Sequence, residues 1–225
     1  MQLKIENDKA VVYAPYWLTE QEIDSFVSRH KTWINNRINK PRKAISLEMI
    51  DGNTITILDK EYTLILKNSS KNCVDFYQDT IIVNATSKQQ QKKVYYYFLY
   101  NKLDEIVQSI KQKHHFSFYD DYKFYKGKWG CCYPKKNLVI LNLYTICLPV
   151  ELIDAIICHE YTHFKFQNHQ KEFYQQLYKY CPRYDDLNKK LKEYRNIDTI
   201  VVWEYDYNNG IDVQKFIKEK LNISL

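Results

Sequence analysis

The run His159-Glu160-Tyr161-Thr162-His163 constrains this chain more than any other feature. On a helix, positions four apart lie one turn apart on one face, so the imidazoles of His159 and His163 converge on one point. Glu160 is rotated by about 100° on the same turn, off the metal axis, where its carboxylate reaches a water on the metal. The flanking residues predict that helix. Pro149 stands at its first turn, Glu151 and Asp154 lie near its positive end, and Leu152, Ile153, Ile156 and Ile157 form an apolar stripe. The motif therefore rides on a core helix and implies a bound Zn2+.

A third ligand is needed, and Gln167-Asn168-His169 follows closely. Asn168 tolerates the left-handed conformation that ends helices, which predicts a turn presenting His169 to the same point. Glu172 and Glu193 are the alternatives, in the manner of zinc sites that use a carboxylate. The spacing from His163 to His169 matches metzincins. Phe166, however, stands where those enzymes carry Gly, and Met1 and Met49, the two methionines, lie far upstream of any Met-turn. Three neutral imidazoles leave a fourth position for water and lower its pKa towards ~7, with Glu160 as the proton acceptor. His114 and His115 are candidates for a second oxyanion donor.

Outward from the motif, an ordered series of segments carries a resemblance. It runs through Lys128-Trp129-Gly130-Cys131-Cys132, Asn137 to Asn142, Leu148-Pro149, Ile153-Asp154, the motif itself, Asn168-His169, Phe173 and Cys181-Pro182-Tyr184. Val11 to Pro15 and a helix with Ile23, Phe26, Lys31, Trp33 and Ile34 extend it to the start. The whole resembles the YgjP-like metallopeptidase family over about residues 1 to 195, with more distant similarity to the SprT and Wss groups of proteases. The resemblance implies zinc held by His159, His163 and His169, Glu160 as base, and a peptide or protein substrate. Two departures stand out: Cys131 where the family usually has Ser, and Leu58-Asp59-Lys60 where it has a Gly in the second strand region.

The expected fold class is α+β, a β-rich N-terminal lobe of about residues 1–85 packed on a zincin-like helical lobe of about 86–195, with residues 196–225 as a C-terminal extension. Alternation predicts a hairpin over 2 to 6 and 10 to 14, and Thr19 with Glu22 predicts a capped helix start. Strands are expected at Thr54 to Leu58, Tyr62 to Lys67 and Val74 to Val83 with a turn at Gln78-Asp79, and a long helix from Ser87. A hairpin of Tyr125 to Cys132 and Leu138 to Tyr144 then precedes the motif helix. Its second strand, with Val139, Ile140, Leu141 and Asn142, is the expected edge on which an extended peptide adds its backbone. The extension contains Ile200-Val201-Val202-Trp203 and an amphipathic stretch with Val213, Phe216, Ile217 and Leu221.

Composition narrows the rest. Met1 to Glu6 carries no apolar run behind a basic cluster and no stretch approaches bilayer length, so no membrane is expected and the compartment read from the sequence is cytoplasmic. Six cysteines without a small-domain framework read as free thiols. A formal charge of +6 with lysines scattered among 21 tyrosines reflects a general compositional bias, so nucleic acid is not the favoured partner. Two rivals keep the metal and change the rest: a nucleotide phosphohydrolase, for which no Gly-rich phosphate loop is present, and a nucleic-acid-associated module with a structural zinc.

Overall fold

The computed structural model describes residues 1–6, 9–38, 43–125, 127–196 and 211–212. It is an α+β chain in two compact units, Met1–Lys43 and Ala44–Leu225. The lobe boundary expected near residue 86 falls inside the second unit, where the strands before it and the helix after it share one apolar core.

In the first unit, β1 (Gln2–Glu6) and β2 (Lys9–Tyr13) pair antiparallel. Helix α1 (Glu20–Arg29) starts as the sequence predicts: Thr19 and Glu22 exchange side-chain and backbone bonds in a capping box, with the Thr19 N–H donating to Glu22 at 2.8 Å. Helix α2 (Lys31–Ile38) follows.

The second unit opens with β3 (Lys43–Ile45), which pairs with β11 (Tyr194–Asn196). A four-stranded sheet follows from β4 (Thr54–Ile57), β5 (Lys60–Asn68), β6 (Cys73–Tyr77) and β7 (Thr80–Ala85), in the spatial order β4-β5-β7-β6. The expected Val74 to Val83 strand is thus two strands, broken at Gln78 with φ 53°. The β4–β5 turn uses Leu58 and Asp59 at φ 49° and 67°. A left-handed Leu is strained, and tertiary bonds hold it: the N–H groups of Leu58 and Asp59 donate to Ile146 and Cys147 carbonyls at 2.8 and 2.9 Å, and Tyr194 donates to Asp59 at 2.7 Å.

Helix α3 (Lys88–His114) is the long helix expected from Ser87, but the stripe read from the spacing of Val94, Tyr97, Phe98, Leu103, Ile106, Val107 and Ile110 is only partly right: Leu103, Val107 and Ile110 are buried, together with Tyr95 and Leu99, whereas Tyr97 is exposed. Next comes β8 (Tyr119–Phe124), which the sequence reading did not anticipate. Its Asp120, Asp121 and Lys123 interrupt any apolar alternation, yet Lys111 pairs with Asp120 at 2.6 Å and Tyr122 donates to Asp104 and Asp120 at 3.0 and 2.9 Å, so the charge of Asp120 is satisfied. Strands β9 (Gly130–Tyr133) and β10 (Leu138–Asn142) complete a second sheet, ordered β12-β8-β10-β9, with β12 (Ile211–Asp212) against β8. Apart from β12, the C-terminal extension, including Ile200 to Trp203 and the stretch from Val213 to Leu221, lies outside the described residues.

Helix α4 (Val150–Thr162) carries the motif, and α5 (Lys171–Tyr180) and α6 (Tyr184–Leu191) pack against it. Pro149 is its N-cap rather than its first helical residue. Leu152, Ile153, Ile156 and Ile157 are all buried, each contributing roughly 1.5–3 kcal/mol from area removed from water. A helix held on so many sides is a rigid base for chemistry.

Candidate metal centre

His159 sits on the last full turn of α4 and His163 caps it, still in right-handed helical geometry (φ −66°, ψ −17°), so the one-turn offset expected of them holds. The chain then reverses without Asn168 becoming left-handed, which corrects the expectation placed on that residue. A tight turn does the work. The N–H groups of Phe164, Lys165 and Phe166 bond back to Tyr161 and Thr162, and Gln170 donates to the Asn168 carbonyl at 2.9 Å. His169 is thereby returned to the motif, with its Nε2 3.1 Å from Nε2 of His159.

The nitrogens of His159, His163 and His169 lie within 4.8 Å of one another. Buried Phe173, from α5, packs against all three rings at centroid distances of 5.1, 4.7 and 4.7 Å. Hydrogen bonds decide which nitrogens face inward. The Nδ1 of His163 bonds the Phe166 carbonyl at 3.0 Å, which only accepts, so the proton sits there and Nε2 keeps its lone pair. The Nδ1 of His159 meets the Tyr184 hydroxyl at 2.8 Å, a second arrangement that leaves Nε2 for the shared point. A tetrahedral ion with metal–nitrogen bonds of ~2.0–2.1 Å needs nitrogens ~3.4 Å apart, so this donor set fits a divalent transition metal. Burial, followed by the neighbouring His163 and His169, pushes His159 down to about 4, and burial lowers His163 as well. Both are neutral at pH 7, the state in which imidazole ligates.

Glu160 is buried against β9. Burial pushes its carboxyl up to about 7, opposed by a hydrogen bond from the Cys132 N–H and by the charge of Lys128. Gly130 makes this position possible. A Cβ there would lie 2.9 Å from Cγ and 3.1 Å from Cδ of Glu160. Gly130, Cys132, Phe173 and Tyr184 all fall within the segments that carry the family resemblance, but sequence spacing alone gave them no role. Glu172 is exposed on α5, and neither it nor Glu193 belongs to the three-histidine group. His114 is engaged with Asp154 at 2.7 Å.

The expected substrate strand requires correction. Val139, Ile140, Leu141 and Asn142 lie on β10, which pairs parallel with β8 and antiparallel with β9. All four are buried and both edges are used, so no peptide can add there. Asn142 is a scaffold: its side chain donates to the carbonyls of Tyr125 and Lys128, both at 2.9 Å, and accepts from the Tyr144 N–H at 3.3 Å. Among the described residues, β9 is an edge strand of this sheet, with β12 at the opposite edge. Trp129 accepts from Asn142 on the β10 side, and the alternation of the ladder turns Gly130 and Cys132 outward, towards Glu160.

A family model described as YgjP-like, metallopeptidase domain, matches residues 1–194. The chain belongs to the YgjP-like metallopeptidase family. The YgjP-like match therefore spans both compact units and stops before the C-terminal extension. Among solved structures, the chain is similar to the metallopeptidase zymogen jannalysin of Methanocaldococcus jannaschii, at 28% identity over 40% of this chain and 92% of that one, with a TM-score of 0.34. No curated protein matches significantly. No helix among the described residues is long and apolar enough to cross a membrane.

Proposed function

We propose that this YgjP-like protein is a zinc-dependent peptidase in which His159, His163 and His169 hold the ion and Glu160 is the general base. The observation that carries this reading is the convergence of three imidazoles within 4.8 Å beside a buried carboxylate. Zinc bound there supplies Lewis acidity that activates water and polarises a carbonyl. Glu160, with a carboxyl near neutrality, accepts the proton of the attacking water at a carboxylate oxygen and returns it to the departing amine. The Cys132 N–H and the Gly130 gap keep that oxygen in place. The Phe166 carbonyl holds His163 in the required tautomer, and the Tyr184 hydroxyl orients the ring of His159.

The same reading assigns the substrate to the β9 edge, where an extended peptide would meet the outward backbone of Gly130, the Cys132 N–H being taken by Glu160. This zincin-like arrangement, with a strand edge beside the motif helix and a domain over about residues 1–195, favours peptide over nucleotide. Elemental analysis combined with cleavage of a mixed peptide and nucleotide panel tests it. Zinc-dependent peptide cleavage, weakened by N-methylation of one substrate amide, is expected. Nucleotide hydrolysis with no peptide cleaved would replace the peptidase by the phosphohydrolase.

A further inference from the structure

A second cluster of ligand-type side chains lies on a different face of α4. His114 ends α3, and Asp154 and Cys158 stand one turn apart on α4. The His114 Nε2 is 2.7 Å from Asp154 Oδ1, and Cys158 Sγ is 3.5 Å from the same oxygen and 3.7 Å from the same nitrogen. We propose that His114, Asp154 and Cys158, whose ligand atoms lie within 4.8 Å of one another, form a second site for a thiophilic divalent cation such as zinc, distinct from the three-histidine centre.

Geometry and charge support it. A tetrahedral ion with metal–sulfur bonds of ~2.3 Å and metal–nitrogen or metal–oxygen bonds of ~2.0–2.2 Å sets sulfur ~3.5–3.6 Å from its nitrogen and oxygen neighbours. Both sulfur separations are already close to that. The nitrogen–oxygen pair would open by about 0.6 Å as the hydrogen bond gives way to two metal bonds. Lys113 holds the other carboxylate oxygen, Oδ2, at 2.6 Å, which leaves Oδ1 for the ion. One thiolate and one carboxylate balance the charge of a divalent cation, with the imidazole neutral. Binding releases the thiol proton to solvent.

An ion pair alone does not explain the cysteine. A His–Asp–Lys cluster needs no thiol, and an apolar side chain would fill position 158, which is fully buried, without facing a carboxylate. The ring of His114 is further fixed by stacking on Phe116, at 4.9 Å and 18°. A cation here would tie the end of α3 to the motif helix, so its role is structural.

Cobalt(II) titration of the full-length, metal-stripped protein tests the assignment, because only a thiolate ligand gives an intense near-ultraviolet charge-transfer band. The band is expected in the wild type and in His159→Ala/His163→Ala, saturating at one equivalent in that variant, which separates the second site from the first. It should survive Cys73→Ser/Cys131→Ser/Cys132→Ser and fall at least about five-fold in Cys158→Ser, with folding checked by circular dichroism. Absence of the band from the wild type, its loss with Cys131 and Cys132, or its persistence in a folded Cys158→Ser protein overturns the proposal. If Cys158→Ser does not fold, the band in the triple-serine protein decides the matter.

Discussion

Glu160 and His159 are neighbours whose burial acts in opposite directions on stability. For Glu160 the folded carboxyl is raised from 4.5 to about 7, so its protonated form is favoured in the fold. Its contribution is fully present below the unfolded value and is lost as pH rises through about 7, up to ~3 kcal/mol at 1.36 kcal/mol per unit. For His159 the folded value is depressed from 6.5 to about 4, so the metal-free protein loses stability as pH falls through that window. Between about 4.5 and 6.5 the two trends oppose each other. Glu160→Gln removes one of them, and the metal-free variant is expected to gain stability over the wild type steadily from pH 4.5 to 7, by on the order of 2–3 kcal/mol in denaturant titrations. The same variant should keep its metal and lose about 10²-fold or more in turnover. Undiminished activity would remove Glu160 from the mechanism. Tyr184→Phe withdraws the oxygen that orients His159, and a chelator competition should then show metal affinity weaker by about 10-fold.

Gly130 illustrates how one strand element governs the base on another. Its missing side chain lets β9 lie against Glu160, so Gly130→Ala forces the carboxylate to shift by several tenths of an ångström. An approximately 10-fold lower kcat with unchanged metal content is expected, and unchanged kcat would mean that β9 does not position the base. The neighbouring β10 has a different duty. Asn142 knits Tyr125, Lys128 and Tyr144 to the strand, and Asn142→Ala leaves several buried backbone groups without partners. A loss of about 3 kcal/mol is expected in equilibrium unfolding, whereas a directly substrate-binding role would show as raised KM at wild-type stability.

At the scale of the whole molecule, metal and fold are coupled, because the ligands come from the end of α4 and from the turn leading to α5. An ion that binds only the folded chain stabilises it by about 1.4 kcal/mol per tenfold rise in free metal above Kd, and two ions by about twice that. Thermal melts across a zinc series should therefore rise, and a chelator should both lower Tm and abolish cleavage, reversibly on adding zinc. A Tm indifferent to zinc would show that the histidine cluster is not a metal site.

The sequence by itself determined the features that depend on local spacing. The one-turn offset of His159 and His163 and the capping box at Thr19 are consequences of helical period and capping chemistry, which act within a few residues. Which strand stands at the sheet edge was decided only in three dimensions. The polar residues of β8 hid a strand whose Asp120 is satisfied by Lys111 and Tyr122, and its parallel pairing moved β10 into the sheet interior and left β9 as an edge. The ring orientations held by Phe166 and Tyr184, the gap at Gly130 and the meeting of His114 with Asp154 and Cys158 likewise join residues from separate elements. Such contacts form because burial leaves polar groups no partners but each other, and no local period in the chain encodes that pairing.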